Sequence, residues 1–437
     1  MQVDTLINAR WIIPVEPHEV ILEDHALVIH EGNILDILPQ QQAQEKYQAT
    51  QQEDLSKHAI VPGFINAHTH VAMTLFRGIA DDLPLMDWLE NHIWPLEKKW
   101  VNEAFVRDGT DLAIAEMLRG GTTCFNDMYF FPEITAHQCI KHGIRANIGL
   151  IMIDFPTAWA NGPEQYMEKG LALHEELRHQ PLIRTPFAPH APYTVSDEPL
   201  RQISMLADEL NLPIHMHVHE TLFEVSQGER PLKHLHELGL INPAFIAVHM
   251  TQLTNSEITK FAQSGAHIVH CPESNLKLAS GFCPVQKCLD AGINVALGTD
   301  GAASNNDLDM LGEMRTAALL AKGVAQDASA VTAATALRMA TLNGAKALGI
   351  EDITGSLTIG KTADICAIDL SDIETQPLYN AISQIVYSAS PHQVSDVWVA
   401  GKQCLKNKQL TTLNIQDLKI KVAQWQHKLQ SPISALT

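Results

Sequence analysis

Histidines spaced two residues apart are the first feature of this sequence that could do chemistry. The chain has 22 His among 437 residues, so about one His-x-His pair is expected by chance. Four pairs are present: His68/His70, His215/His217, His217/His219 and His234/His236. Two imidazoles on one face of a strand can bind the same metal ion. The local pattern around each pair therefore decides which of them are candidates.

Three of the four pairs end apolar, strand-like runs. The fourth, in "PLKHLHELGL", follows the spacing of an amphipathic helix, and we interpret His234 and His236 as surface residues. In "GFINAHTH" and "PIHMHVH" successive residues face opposite sides of a strand. His68 and His70 then share one face, and the three histidines of the second run also share one face. Periodicity alone does not choose among His215, His217 and His219.

A third strand-like run, "INVALGTD", ends in Asp300. Three imidazoles and one carboxylate suit a borderline divalent metal, zinc most naturally and iron as the alternative. A catalytic zinc site keeps one coordination position for water. Any single histidine here is better explained as a core residue that hydrogen-bonds a backbone carbonyl. The set at the ends of three strands is better explained as one metal centre.

The middle of the chain alternates short apolar runs with helical patterns, which predicts βα units. We predict eight strands, a number typical of a (β/α)8 TIM-like barrel. They lie near residues 63–70, 122–128, 145–152, 183–190, 213–219, 244–250, 266–272 and 293–300. Polar residues collect at the carboxyl ends of these strands, where barrel active sites are built: His70, Asn126, Asp127, His190, His219, His249, His270 and Asp300. A doubly wound sheet would alternate similarly, but no Gly-x-Gly-x-x-Gly turn opens it.

The two ends of the chain are rich in short strands and turns, over residues 1–58 and 361–405. We expect them to pair as one small discontinuous β-sandwich domain. The predicted fold class is therefore α/β, with the β-sandwich formed by 1–58 and 356–437 and the barrel by 59–355. The last stretch, "NIQDLKIKVAQWQHKL", predicts a C-terminal helix.

Composition narrows the class of protein. Hydrophobic residues make up 46% and charged residues 18%, as in soluble enzymes, and the net charge of −20 argues against a nucleic-acid partner. No signal-peptide pattern and no apolar run of about 20 residues is present, so we expect no membrane partner. Seven scattered Cys without a Cys-x-x-Cys suit reduced thiols and a cytoplasmic location. Whether the chain forms a homo-oligomer stays open.

Five motifs together resemble the amidohydrolase superfamily: "PGFINAHTH", "HVHE", "VHM", "SNLKL" and "GTDGAASNN". The stretch 75–97, "LFRGIADDLPLMDWLENHIWPLE", resembles its deaminases of 5′-methylthioadenosine and S-adenosylhomocysteine. The similarity covers nearly the whole chain. It implies a distorted barrel with one metal ion, and its His-x-x-Glu motif fits His217 and Glu220. The implied metal ligands are His68, His70, His217 and Asp300.

The resemblance also implies roles for other residues. His215 becomes a packed core histidine, and His219, Ser304 and Asn305 receive no role. A binuclear centre is disfavoured because "IRTPFAPH", the fourth strand, has no Lys. Leu83, Met86, Trp88 and Trp94 could cap a thioether or simply belong to the core. The implied catalytic residues are Glu220 as proton donor, His249 as the group that orients water, and Asp300 as base; the implied substrate-binding residues are Glu97, His190, Glu220 and Asp300.

The expected function is hydrolysis of a cyclic amidine C–N bond by a metal-dependent enzyme. The expected substrate is 5′-methylthioadenosine, with S-adenosylhomocysteine or adenosine as further small-molecule nucleoside substrates. The nearest alternative is a deaminase of another aminated heterocycle, such as guanine, cytosine or an s-triazine, which has no ribose for Glu97. A metal-free scaffold barrel would lack the ligands that are present here. "IRANIGLIMID" offers no Arg near the third strand's carboxyl end, which favours 5′-methylthioadenosine over S-adenosylhomocysteine.

Overall fold

The N-terminal flank forms four strands and a short helix in the computed structural model, which describes residues 1–226 and 228–430. These elements are β1 (Gln2–Ile12), β2 (Leu22–His30), β3 (Asn33–Pro39), α1 (Gln40–Lys46) and β4 (Gln48–Pro62). β1 pairs antiparallel with β2 and parallel with β4. Alternation along β1 buries Ile7 and Ala9 in one apolar cluster and Leu6 in another. Both faces of this part of the sheet are therefore covered.

Ten short strands follow and supply the eight positions of the barrel. They are β5 (Phe64–Thr69), β6 (Thr122–Asp127), β7 (Arg145–Ile148), β8 (Leu150–Met152), β9 (Ile183–Arg184), β10 (Phe187–Pro189), β11 (Ile214–Val218), β12 (Phe245–His249), β13 (His267–His270) and β14 (Asn294–Leu297). The predicted third and fourth strands are each interrupted. At Gly149 a Cβ would lie 2.6 Å from the Asp127 carbonyl oxygen and 2.7 Å from the Ala188 Cβ, so only glycine fits this close approach.

The interruptions divide the barrel into two parallel ladders. One has the order β5-β6-β7-β9 and the other β14-β13-β12-β11-β10-β8. The first and last strands meet where the Asp300 amide donates to the His68 carbonyl at 3.0 Å. Beside this contact, the Thr299 amide donates to the Asn66 side chain, also at 3.0 Å. The predicted barrel is confirmed, with shorter strands than expected.

The helices between and after these strands cover the outside of the barrel and build its loops. They are α2 (Leu85–Asp87), α3 (Trp94–Trp100), α4 (Glu103–Arg119), α5 (Pro132–His142), α6 (Pro163–Leu177), α7 (Asp197–Leu210), α8 (Leu222–Ser226), α9 (Pro231–Glu237), α10 (Asn255–Ser264), α11 (Pro272–Lys277), α12 (Val285–Asp290), α13 (Met310–Ala325), α14 (Ala333–Met339), α15 (Leu342–Ala347), α16 (Ala381–Tyr387) and α17 (Ile415–Gln430). A 3₁₀ turn at Val71–Phe76 and a π-helical turn at Trp88–Ile93 complete the set near the site. No helix within 1–226 and 228–430 is long and apolar enough to cross a membrane.

The C-terminal flank returns to the first sheet through β15 (Ile365–Asp369), β16 (Val394–Val399), β17 (Lys402–Lys406) and β18 (Gln409–Leu410). β15 pairs antiparallel with β4, so the two flanks share one eight-stranded sheet. The sheet curls, because the Ala363 amide donates to the Gly32 carbonyl in the β2–β3 turn at 2.9 Å. The predicted pairing of the flanks is confirmed. The domain bounds stay a prediction, since β4 continues across residue 58 to Pro62.

The predicted C-terminal helix is confirmed as α17, and it packs on the barrel helix α4. The Trp425 ring meets Phe105 edge-on at 5.3 Å between ring centroids. Its indole Nε1 donates to Asp108 Oδ2 at 3.0 Å. The helix therefore extends the barrel's outer layer.

Candidate active site

Four side chains converge at the carboxyl end of the barrel, all of them predicted ligands. The donor atoms of His68, His70, His217 and Asp300 lie within 4.8 Å of one another. His68 Nε2 is 3.1 Å from His217 Nε2 and 3.3 Å from Asp300 Oδ1, and His70 Nε2 is 3.2 Å from that same oxygen. Ligands about 2.0–2.1 Å from a tetrahedral zinc ion are separated by about 3.3 Å. The spacing therefore suits one tetrahedral metal centre.

Backbone carbonyls determine which nitrogen two of the histidines present. His70 Nδ1 lies 2.6 Å from the Met128 carbonyl oxygen, and His217 Nδ1 lies 2.6 Å from the His190 carbonyl oxygen. A carbonyl only accepts, so each Nδ1 carries the proton that it donates. Burial holds the pKa of His217 well below its usual range, so this ring is neutral and its Nε2 lone pair faces the other donor atoms. A hydrogen bond to Asp300 outweighs burial and raises the pKa of His70 to about 9, so its Nε2 loses a proton when a metal ion binds.

His215 has a role beyond the core packing that the sequence predicted. It is fully buried, and its Nε2 lies 2.9 Å from His68 Nδ1. When His68 Nδ1 donates this hydrogen bond, His68 Nε2 is free to bind a metal ion. Burial lowers the pKa of His68 to about 4, so this imidazole is neutral at pH 7. His215 therefore orients one of the ligands.

Two serines hold the carboxylate of Asp300. Asp300 Oδ2 accepts from Ser274 Oγ at 2.6 Å and from Ser304 Oγ at 2.9 Å. This leaves Oδ1 facing the histidine nitrogens. Burial alone would raise the pKa of Asp300, but the neighbouring His68 and His70 rings outweigh it and hold that pKa well below its usual range. The carboxylate is therefore ionised, as a metal ligand requires.

Glu220 follows the end of β11 and lines the same cavity. The Glu224 carboxylate accepts from the amides of His219 and Glu220 at 2.9 and 2.8 Å. Thr251 Oγ1 donates to the Glu220 carbonyl at 2.6 Å. The backbone of Glu220 is thus held on both sides. Burial raises the pKa of its carboxyl group, which favours the protonated form needed for proton donation.

His249 ends β12 and faces Glu220 across the cavity. Its Nε2 lies 3.8 Å from Glu220 Oε2. Its Nδ1 donates to Asn275 Oδ1 at 2.8 Å, and its ring stacks on His217 with 5.5 Å between centroids. Asn275 belongs to α11, in the "SNLKL" motif. The hydrogen bond directs His249 Nε2 at the reacting end of the cavity.

The outer part of the cavity combines two predicted polar residues with an apolar wall. Glu97 Oε1 accepts from the Tyr129 hydroxyl at 2.8 Å, and burial raises the pKa of Glu97 to about 7. His190 Nδ1 lies 3.0 Å from Thr194 Oγ1, and burial lowers the pKa of His190 to about 3, so this ring is neutral. The remaining lining is largely apolar, and the cavity is partly open to solvent.

The comparisons with known proteins agree with this geometry. A profile described as "Amidohydrolase family" matches residues 59–404. The chain belongs to the amidohydrolase family. It is 52% identical over 433 residues, 98% of this chain and 97% of the relative, to the 5-methylthioadenosine/S-adenosylhomocysteine deaminase of Saccharophagus degradans. It is 40% identical over 433 residues, 98% and 99% of the two chains, to the protein of the same name in Thermodesulfovibrio yellowstonii. The predicted family resemblance is confirmed.

Solved structures resemble this amidohydrolase over nearly its whole length. An adenosine deaminase from Xanthomonas campestris with bound zinc superposes with a TM-score of 0.97 at 52% identity, covering 99% of each chain. The atrazine chlorohydrolase of Arthrobacter aurescens, with zinc, superposes with a TM-score of 0.90, covering 96% of this chain and 99% of that one. At 22% identity the second likeness shows the fold alone.

Several polar residues predicted at the strand ends of the amidohydrolase lie outside the site. His219 turns away, because its backbone has φ of +54°, and its Nε2 accepts from the Leu232 amide at 3.3 Å. Asn126 donates to the Ala67 carbonyl, and Asp127 accepts from the Val71 amide. These residues support the loops around the metal ligands.

The four apolar residues that the sequence left open between a cap and the core differ in position. Trp88 lines the cavity, and Leu83, Met86 and Trp94 do not. Other apolar residues complete the wall, among them Leu85, Leu89, Ile93, Phe130, Ile151 and Ile153. The π-helical turn at Trp88–Ile93 inserts an extra residue into a helical turn and so shifts which side chains face inward.

Sequence reasoning missed the residues that orient the reacting groups. They are Tyr129, Thr194, His215, Glu224, Ser274, Asn275 and Ser304. Ser274, Asn275 and Ser304 stand inside the quoted motifs "SNLKL" and "GTDGAASNN". Those motifs were the available signal, but the partners of Ser274 and Asn275 each lie 26 residues away in sequence.

Proposed function

We propose that this amidohydrolase hydrolytically deaminates 5′-methylthioadenosine, with S-adenosylhomocysteine and adenosine as further substrates. One observation carries the proposal: Glu220 and His249 face each other beside a three-histidine, one-aspartate centre. The 52% identity to a relative named as such a deaminase supports the choice of substrate. The products are the inosine-type nucleoside and ammonia.

The ligand set fits one divalent metal ion. His68, His70, His217 and Asp300 would hold it, because three imidazole nitrogens and one ionised oxygen lie close together around a common centre. We propose zinc, with iron as the alternative, since nitrogen donors with one carboxylate suit both. When bound, such an ion lowers the pKa of a coordinated water to about 7 and so supplies a nucleophile at neutral pH.

The residues around this centre move the protons of the reaction. Glu220 donates a proton to the purine ring nitrogen beside the amino-bearing carbon, which makes that carbon electrophilic. Asp300 accepts a proton from the attacking water, and His249 stabilises the charge that develops on the adding oxygen. Asp300 then returns its proton to the amino group, which leaves as ammonia. Glu220 recovers its proton from the new hydroxyl group as the carbonyl forms.

The outer part of the cavity suits the rest of a nucleoside. Ionised Glu97, fixed by Tyr129, can accept hydrogen bonds from both ribose hydroxyls. His190 stands beside His217 and offers a neutral ring to the substrate. The apolar wall suits a methylthio group. A free base has no ribose for Glu97, which argues against the alternative of a guanine, cytosine or s-triazine deaminase.

The same wall favours 5′-methylthioadenosine over S-adenosylhomocysteine. None of the described residues that line the cavity is Lys or Arg. The amino-acid tail of S-adenosylhomocysteine carries a carboxylate, which binds best to an Arg. We therefore propose that the larger nucleoside binds less well.

An ammonia-release screen of the purified protein tests the proposed function. The panel contains 5′-methylthioadenosine, S-adenosylhomocysteine, adenosine, adenine, guanine and cytosine. We expect fast release from the three nucleosides and slow release from the bases. Release from a free base alone would contradict the proposal.

We also propose that the protein works in the cytoplasm, because its seven cysteines are all free and buried.

A further inference from the structure

Residues 79–97, here called the cap segment, cover the outer side of the cavity. They form the loop before α2, the π-helical turn and the start of α3. They contribute a large part of the substrate wall: Leu85, Trp88, Leu89, Ile93 and Glu97. The position of this segment therefore determines both the apolar surface and the predicted ribose acceptor.

Few polar contacts hold the cap segment in place. Within residues 1–226 and 228–430, two side-chain hydrogen bonds join it to other parts of the chain. At its end, the Tyr129 hydroxyl donates to Glu97 Oε1 at 2.8 Å. Near its start, Lys277 Nζ donates to Asp81 Oδ1 at 2.6 Å. Glu97, at the end of the cap segment, is the group proposed to bind ribose. Lys277 holds the start of the segment, where no substrate contact is proposed.

Lys277 connects the cap segment to the loop that carries Asp300. An ammonium group has three N–H donors, and this one has three acceptors. They are Asp81 Oδ1, Asn306 Oδ1 and, at 3.5 Å, the Ala303 carbonyl oxygen. The last two residues flank Ser304, which donates to Asp300. The Lys277 side chain is 19% exposed and that of Asp81 is 38% exposed, so the ion pair is only partly screened by water.

The helix that carries Lys277, α11, is itself hydrogen-bonded to two residues of the candidate site. α11 also contributes Ser274, which donates to Asp300, and Asn275, which accepts from His249. Three side chains within four residues of one short helix thus reach a metal ligand, a catalytic histidine and the cap segment. No step of the proposed reaction uses Lys277.

We propose that Lys277 is a positioning residue that holds the cap segment over the substrate through Asp81. It acts on nucleoside binding rather than on the chemical step, because Asp81 belongs to the cap segment, which supplies the outer wall, and does not itself line the cavity. The proposal rests on the proposed deaminase function for its kinetic readout only. The role of Lys277 in holding the cap segment does not depend on which substrate the protein turns over.

The kinetic test uses Lys277→Met, Asp81→Asn and the double variant. Each single variant removes the charge pair with little change in volume. We expect KM for 5′-methylthioadenosine to rise about tenfold, because a partly buried charged hydrogen bond is lost. We expect kcat within about threefold of the wild type and unchanged bound metal. The double variant should be no worse than Lys277→Met, since Asp81→Asn affects only the ion pair that Lys277→Met already removes.

Lys233→Met is the matched control. Lys233 also forms an ion pair, with Glu229 at 2.5 Å, but on the exposed surface of α9. It should leave KM unchanged. Wild-type KM in Lys277→Met, or additive effects in the double variant, would overturn the proposal. Loss of kcat together with loss of metal would also overturn it, because Lys277 would then act on the Asp300 loop.

Hydrogen exchange supplies a readout that needs no activity. In Lys277→Met the amides of residues 79–97 should exchange several-fold faster, while those of α10 stay protected as in the wild type. If the protein deaminates nothing, the proposed function fails and this result still decides the role of Lys277. If Lys277→Met does not fold, Asp81→Asn decides, because Asp81 is on the surface. Unchanged exchange in the cap segment of Asp81→Asn would overturn the proposal.

Discussion

At the scale of residues, the candidate site depends on where protons reside. The carbonyl oxygens of Met128 and His190 accept hydrogen bonds from the Nδ1–H groups of His70 and His217. His215 Nε2 faces Nδ1 of the third histidine, His68. Three Nε2 atoms thereby face the predicted metal centre. Glu97, Glu220 and Asp300 line the same cavity; burial raises the pKa of the two glutamates, whereas the neighbouring histidines hold that of Asp300 well below its usual range. Neighbouring acids therefore serve different purposes because their surroundings differ.

Replacing His217 tests the metal centre. His217→Ala removes one of four donors, so we expect activity to be abolished and bound metal to fall sharply. Elemental analysis of the wild type should give one metal ion per chain. Two metal ions per active chain would contradict the mononuclear centre.

Glu220→Gln tests the proton donor. Gln keeps the size of the side chain but cannot transfer a proton, so turnover should fall by about 10²- to 10⁴-fold. Bound metal should be unchanged, because Glu220 is not a ligand. Near-normal turnover in this variant would mean that another group protonates the ring.

The pKa of Glu97 predicts how nucleoside binding depends on pH. Burial raises this pKa to about 7. At lower pH the protonated carboxyl loses acceptor capacity for the ribose hydroxyls, and at higher pH the ionised form gains it. KM for 5′-methylthioadenosine should therefore fall several-fold from pH 6 to pH 8. In Glu97→Gln the KM should be higher and independent of pH across this range; the same pH dependence as in the wild type would exclude Glu97.

At the scale of elements, the site is built from strand ends and one short helix. Left-handed backbone at His249 and Asp300, with φ of +74° and +62°, turns the chain sharply where β12 and β14 end. Such conformations are costly for residues other than glycine and are tolerated where surrounding contacts fix them. α11 supplies two of those contacts, through Ser274 and Asn275. The helix α11 therefore positions side chains that follow the ends of two strands.

Asn275→Ala tests this support. The variant removes the acceptor for His249 Nδ1, so the imidazole is free to rotate or change tautomer. We expect kcat to fall at least tenfold, with KM within about threefold and metal content unchanged. Asn275→Asp keeps an acceptor oxygen and should recover part of the activity. Equal losses in both variants would indicate a structural role only.

At the scale of the whole molecule, the basic side chains near the barrel are engaged away from the cavity. Arg145 forms a buried ion pair with Asp364 at 2.9 Å and so joins the barrel to the flank sheet. Arg184 donates to the Gly349 carbonyl at 2.8 Å. Arg178 pairs with Glu175 on the same surface helix. These partners leave the cavity without a basic wall.

This distribution predicts the preferred nucleoside. The ratio of kcat/KM for 5′-methylthioadenosine over S-adenosylhomocysteine should exceed one, because only the latter needs a cationic partner. Side-by-side measurement at fixed ionic strength decides the ratio. A clear preference for S-adenosylhomocysteine would show that a cation reaches its tail from outside the described lining.

The sequence by itself determined the barrel, the pairing of the flanks and three of the four predicted ligand positions. Periodicity places strands, and the carboxyl ends of parallel strands meet at one face, so His68, His70 and Asp300 had to converge. The tertiary structure decided among residues that periodicity alone cannot distinguish. His215, His217 and His219 share one face by alternation, and only the left-handed turn at His219 and the hydrogen bonds of the other two separate ligand from support.

The tertiary structure alone also decided the hydrogen-bond partners and the cap. Met128 lies 58 residues from His70, and Asn275 lies 26 from His249. No local pattern encodes such a pairing, because it depends on which loops the barrel brings together. The inward face of the cap segment likewise depends on a π-helical turn, which shifts the register that a regular helix would follow. Local spacing can therefore predict which residues are available, and packing between distant loops determines what each of them does.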